Sequence, residues 1–214
     1  MKQQKGFTLV EIAIVLVIIG LLLGGVLKGQ EMIENSKVKS AINDFNGVST
    51  AYNSYVDRFR RMPGDDGPLA TLTARGGSWA TVTQGGNANG VLAVNAGQTF
   101  TNGGEQVAFW QALRASGFIT GDPAAIGAAA LPRNAYNGLT GVTAAGVTGM
   151  VGSVVCMSQV PGKGARAIDT QLDDGVPGTG AIRATQGVVG ANTAPAAAAA
   201  AYSDANVYTI CRNI

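Results

Sequence analysis

Histidine is missing from this 214-residue chain. Its absence removes Ser-His-Asp and Cys-His nucleophile arrangements, and histidine metal sites with them. No Walker-type phosphate loop is present either, and no enzymatic activity is expected. Cysteine is reduced to two residues, Cys156 and Cys211. They stand too far apart in sequence to form a Cys-x-x-Cys redox pair. Charge is scarce, at 13% of residues, and nearly balanced between 15 basic and 13 acidic side chains. That balance argues against a nucleic-acid partner, which calls for a strongly basic surface. Proline does not occur before Pro63, so nothing of that kind interrupts the first quarter of the chain.

What the chain does have is one long apolar run. From Phe7 to Leu27 the only charge is Glu11. At about 1.5 Å per residue the run spans roughly 30 Å, the thickness of a bilayer's hydrocarbon core. It reads as a single transmembrane helix. A secretory signal has a shorter apolar core and a small-residue cleavage site behind it, and no Ala-x-Ala-like site follows here. The leader holds Lys2 and Lys5 and no acid. The positive-inside rule therefore keeps the amino terminus in the cytoplasm and sends everything beyond Lys28 outward. At the centre of a membrane helix a carboxylate costs about 2.5–3.5 kcal/mol on insertion scales, which makes Glu11 a functional candidate in need of a partner. The plain alternative is a signal anchor with Glu11 near its interfacial end, where water access lowers that cost.

The string Lys5-Gly6-Phe7-Thr8-Leu9-Val10-Glu11 resembles the processing site of type IV prepilins and of the pseudopilins of type II secretion. The resemblance implies that a prepilin peptidase cuts between Gly6 and Phe7 and methylates the new amine of Phe7. It also implies that Glu11 meets the amino terminus of a neighbouring subunit and sets axial register as each subunit enters the filament base. The chemistry agrees. Cleavage creates a cation four residues from Glu11, and positions i and i+4 share a helix face. Removing Lys2 and Lys5 leaves 13 basic side chains against 13 acidic ones. The implied partners are other pilin-like subunits, the peptidase, the inner-membrane assembly machinery and, before assembly, the membrane itself.

Beyond the run, Val38, Ile42, Phe45, Val48, Tyr52, Val56 and Phe59 recur every three or four residues. This is the signature of an amphipathic helix. The helix is expected to continue to about Arg61, with Pro63 as its stop. The chain then divides into a leader, 1–6, a transmembrane or assembly half-helix, 7–27, an amphipathic half-helix, 28–61, and a globular head, 62–214. The expected fold class is α+β, the pilin-like lollipop of a long helix and a small antiparallel sheet. Many pilins carry a proline near the end of the apolar run; here Gly20, Gly24, Gly25 and Gly29 stand instead. They suit either local melting of the helix or close helix packing.

In the head, Met62–Pro68 is turn-rich, and the Gly/Thr/Asn-rich stretch to Gly104 reads as loops and short strands. Residues 105–116 read as a short helix with Val107, Trp110 and Leu113 on one face and Gly117 as its stop. The Phe109-Trp110 pair is read as core rather than as a stacking site for a ligand. Candidate strands are 150–158, 181–185 and 207–211. The alanines from Ala196 to Ala201 suit a helical turn or an exposed loop.

Cys156 and Cys211 sit in candidate strands of a segment placed outside the cytoplasm, so they are paired in a disulfide. An intermolecular bridge is the less economical alternative. Asp169, Asp173 and Asp174 form the densest acidic cluster and have two readings. One is a solvated turn whose carboxylates cap backbone amides; the other is a loop holding Ca²⁺, as in some pseudopilins. No other cofactor is indicated. Asp65 and Asp66 carry a weaker version of the same choice. Arg58, Arg60 and Arg61 read as a polar helix end favoured by the dipole rather than as a contact for DNA phosphates. Three functions follow: a pilus subunit, a type II secretion pseudopilin, or a minor tip subunit whose head binds a target.

Overall fold

The computed structural model describes residues 8–101 and 103–214. The chain separates into two compact units, one ending at Lys37 and the other running from Val38 to Ile214. Helix α1, Leu9–Phe59, contributes residues to both. The other elements are α2 (Leu69–Thr73), α3 (Glu105–Ala115), β1 (Thr140–Thr143), β2 (Val154–Pro161), α4 (Gly162–Leu172), β3 (Ile182–Gln186) and β4 (Val207–Asn213), with three short 3₁₀ turns. The fold is α+β.

In the first unit none of the described residues is buried. In the second, α1 buries Val38, Ala41, Phe45, Val48, Ala51 and Tyr55, with Ile42, Tyr52 and Phe59 partly covered. The expected stripe is therefore rotated: Ala41, Ala51 and Tyr55 belong to its centre, and Val56 is only half-buried. Alanine is small enough to let the layers approach. The Tyr55 hydroxyl finds a buried acceptor in Asp66 at 2.5 Å, which removes the cost of burying it. The helix stops at Phe59 rather than Arg61 because Arg60 turns left-handed, at φ 55°; its N–H still donates to the Val56 carbonyl at 2.8 Å. Pro63 lies beyond a stop already made.

The sheet has the order β1-β2-β4-β3, with every pair antiparallel. The chain leaves β2 through α4, reaches the far edge at β3, and returns to place β4 in the middle. Alternate residues serve two cores. Val155, Met157, Ile182, Ala184, Tyr208 and Ile210 join the main core with the α1 stripe and α3. Cys156, Cys211, Val154 and Val147 make a smaller cluster. Strand β1 was not read from the sequence, and β2 lies later than the expected 150–158, running on past a bulge between Met157 and Val160 to Pro161. Gln159 there has φ 60°.

Helix α3 is hidden all round, not on one face: every residue from Glu105 to Leu113 is buried. Its polar side chains replace strand ladders for the segment before it. The Gln111 side chain accepts from the N–H groups of Thr83 and Gln84, each at 3.0 Å, and donates to Thr83 Oγ1 at 2.9 Å and the Ala125 carbonyl at 3.1 Å. Glu105 accepts from the Ala93 N–H at 2.5 Å. This explains why residues 62–104 form helical turns and irregular chain, with no strand among the described residues. Gly117 ends α3 as expected, at φ 78°. Its N–H reaches the Arg114 carbonyl and that of Phe118 the Leu113 carbonyl, both at 3.0 Å, which is a Schellman cap.

The alanine run forms no helical turn. It lies beside β3, with the Ala196 N–H donating to Thr185 Oγ1 at 2.9 Å and the Ala199 N–H to the Ala184 carbonyl at 2.8 Å. It thereby covers part of a sheet edge that would otherwise carry unpaired backbone groups.

Candidate functional site

The most unusual surface of the molecule is the start of α1. Its apolar side chains are open to solvent on all sides, from Leu9 at 90% exposure to Leu27 at 67%. Its length and composition suffice to cross a membrane, and none of that stretch is buried. A soluble chain does not leave such a patch uncovered, since continuous apolar surface on this scale marks a lipid or protein contact. Gly20, Gly24, Gly25 and Gly29 all lie within the helix, and a Cβ added at any of them would meet nothing within 4 Å. They add no side chain to that surface.

Glu11 opens this helix. Gly6 and Phe7 lie outside the described residues. The Thr8 N–H and hydroxyl both donate to Glu11 Oε2, at 2.7 and 2.8 Å, and the Glu11 N–H donates back to Thr8 Oγ1 at 3.3 Å. This is a capping box, Thr-x-x-Glu, which satisfies orphan amides at the helix start. The pattern is local in the sequence, Thr8-Leu9-Val10-Glu11. Both Thr8 donors converge on one oxygen, and the helix dipole favours the negative charge there.

Cys156 and Cys211 are bonded to each other and face one another across β2 and β4. The bridge closes a loop of 55 residues. In the chain-entropy picture such a closure disfavours the unfolded state by about 4 kcal/mol.

Asp169, Asp173 and Asp174 are brought together, with one oxygen of each within 4.8 Å of the others. Asp174 sits on the expected glycine-containing loop, but the other two are placed by a helix. Asp169 belongs to the last turn of α4 and Asp173 is that helix's C-cap. Two glycines, Gly162 and Gly164, concealed the helix in the sequence. Gly162 is required by close approach, since a Cβ there would stand 1.9 Å from the Ser203 carbonyl oxygen. Asp169 is fully buried, accepting from the Tyr202 hydroxyl at 2.7 Å and the Gly175 N–H at 3.1 Å. Burial, with the charges of Asp174 and Asp173 adding to it, pushes its carboxyl above the usual range. The Tyr202 phenol is pushed up in turn, by burial first and then by Asp169. Asp173 accepts from the Ile182 N–H at 2.9 Å, and Asp174 from the Val176 N–H at 2.8 Å and from the Thr179 hydroxyl. The Thr179 bond, together with the Val176 amide, holds the Asp174 carboxyl low. Both oxygens of Asp169 thus face protein donors. Asp174 likewise accepts on both oxygens and Asp173 on Oδ2, so the group caps backbone amides and hydroxyls of its own chain.

The remaining candidates are also accounted for. Asp65 accepts from the N–H groups of Asn89 and Gly90, at 3.3 and 2.7 Å, and Asp66 pairs with Arg75 at 2.7 Å. Phe109 and Trp110 are both buried, edge to face at 5.1 Å. Arg60 stands 3.7 Å from Asp57, and Arg58 lies over the Phe59 ring. Arg60 and Arg61 border an open cleft of about 570 Å³ at the end of α1.

Residues 1–27 match the family model described as the prokaryotic N-terminal methylation motif, the signature of type IV pilins and pseudopilins. No curated protein and no solved structure matches the chain.

Proposed function

We propose that a chain opening with this motif is a structural filament subunit of the type IV pilin kind, cut between Gly6 and Phe7 by a prepilin peptidase. Phe7 is then N-methylated, and copies polymerise through the apolar part of α1. The observation that carries the reading is the coincidence of the methylation motif with a helix surface that no part of its own unit covers. Before assembly that surface lies in the inner membrane, with the amino terminus cytoplasmic. On assembly it exchanges lipid for the same surface of other copies. The Glu11 carboxylate then finds the Phe7 amine of a neighbour, and a pair in a low-dielectric core is strong when complete and costly when one member is missing. The subunit is a scaffold and not an enzyme. The irregular segments of the second unit, which expose Val151, Val188 and Val189, offer surface for display and favour a pilus over a secretion pseudopilus.

Mass spectrometry of sheared surface filaments tests the reading. The expected result is an abundant subunit whose first peptide begins at methylated Phe7. A processed subunit that is scarce in that preparation would favour the pseudopilin or the minor tip subunit. A chain that keeps Met1–Gly6, or is cut behind the apolar run, would overturn it.

A further inference from the structure

A groove of about 240 Å³ runs beside α1 in the second unit, between Asp44 and Gly47 on one side and Ile119, Pro132 and Arg133 on the other, with Trp110 contributing to it. One polar group there is buried without a partner, and one carboxylate meets no protein donor among the described residues. The Trp110 Nε1–H is buried and has no acceptor. Among the described residues no hydrogen bond or ion pair reaches Asp44, and Arg133 spends its guanidinium on the carbonyl and side chain of Asn137. The Asp44 side chain reaches solvent, yet loss of water within the groove raises its pKa, with no cation to oppose the shift. Gly47 adds no side chain to obstruct the approach, and a Cβ there would meet nothing within 4 Å.

The matching cation is on the same helix. Lys39 is exposed and, among the described residues, has no partner. It precedes Asp44 by five positions, which places it about 140° away around the helix at ~3.6 residues per turn, so the two side chains cannot meet within one chain. Between parallel copies lying side by side they can. An axial stagger of about 7.5 Å, five residues at ~1.5 Å each, brings Lys39 of one copy level with Asp44 of the next. Such a contact is heterologous: each copy gives one surface and receives on the other, which generates an open helical array rather than a closed ring.

We propose that the Asp44 groove is an interface for a second copy of this chain and receives its Lys39 ammonium. The inference rests on the filament reading, which supplies parallel copies, and specifies a contact that reading does not. The pair fixes stagger in the second unit, away from the membrane segment.

Charge exchange tests it in the full-length chain. Asp44→Lys and Lys39→Asp each place like charges together, and each is expected to lower the yield of sheared filaments by about tenfold or more. The double exchange restores the pair with its signs reversed and is expected to recover most of the yield. Subunit level and oxidation of Cys156–Cys211 are followed in parallel to confirm that each variant folds. In addition, a short thiol cross-linker applied to co-expressed Asp44→Cys and Lys39→Cys chains should give a dimer that neither chain gives alone. Wild-type yield from both single exchanges, or a double exchange no better than the singles, would overturn the proposal. If the wild-type chain itself yields no subunit beginning at methylated Phe7, the filament reading falls, and this inference falls with it.

Discussion

The two stretches of α1 use similar residues to opposite ends. Through Leu27 the helix is apolar all round and nothing in its unit buries it; from Val38 on, one face is buried and the other is polar. Val26 is 55% exposed while Val38 is 2% exposed. Residue type therefore does not decide burial. Periodicity does, because a stripe can be matched by a layer from the same chain, whereas a helix apolar on every side can be covered only by lipid or other molecules. The lone acid of the run to Leu27 lies at its start, in a cap, where a charge serves the helix.

The largest expected effect separates assembly from folding. Glu11→Ala removes the one charge of the apolar segment, so processing and methylation at Phe7 continue while filaments are lost from the cell surface. Electron microscopy and mass spectrometry of the same cells check both halves of this expectation. Normal filament numbers would reduce Glu11 to a helix cap and erase its distinction from the residues around it.

A pair of truncations then sharpens the contrast. Phe45→Ala, in the buried stripe, should cost the second unit about 3–5 kcal/mol, the usual loss for a large core side chain. Leu16→Ala removes an equally apolar side chain that is 64% exposed in the first unit, and should leave unfolding of the second unit within about 0.5 kcal/mol. Denaturant unfolding of the full chain in detergent, followed by tryptophan fluorescence, measures both. A comparable loss in the two variants would show that the first stretch is packed against its own chain.

Much of this division was legible in the sequence because it rests on periodicity and on one dense motif. The apolar run, the stripe through Phe45 and Val48, the short helix before Gly117, and three of the four strands all announce themselves by pattern. What escaped was set by tertiary contact. Tyr55 reads as polar until Asp66 is placed beside it, and α4 reads as loop because Gly162 is dictated by the Ser203 backbone rather than by helix propensity. Strand β1, Thr-Gly-Val-Thr, is too short to show alternation, and Gly141 is needed where the Thr99 carbonyl comes within 1.9 Å of where a Cβ would stand. The site divides in the same way. Glu11 was visible as an anomaly of composition, whereas the Asp44 groove is assembled from α1, α3 and the chain before β1, and no local pattern records it.

A smaller effect concerns pH, and it belongs only to the second unit. Asp169 has a raised folded pKa, so the folded state holds its proton more tightly than the unfolded chain does. Its contribution to stability is full below the ordinary carboxylate value of about 3.9 and declines as pH rises through the raised folded value. The stability difference between the wild type and Asp169→Asn, taken from urea midpoints, should therefore shift against the wild type as pH rises through that window. A shift of opposite sign would mean that the carboxylate is stabilised as an anion. Because the three carboxylates are committed to protein donors, added calcium or chelator should leave the melting temperature unchanged. A rise with calcium would establish a bound ion.

The smallest effect isolates what Thr8 contributes. Thr8→Ala removes one of the two donors that converge on Glu11 Oε2, the hydroxyl, and keeps the other, the backbone N–H. The expected cost is about 1 kcal/mol at the helix start, typical of an N-cap. That cost falls where the helix is uncovered in the monomer, so unfolding of the second unit should not register it. It should appear instead as weaker helicity in a peptide spanning residues 7–27 in micelles. If capping and assembly are separate duties of Glu11, Thr8→Ala retains filaments while Glu11→Ala loses them. Equal loss from both would mean that the neighbour's amine recognises the capped geometry itself and not the carboxylate alone.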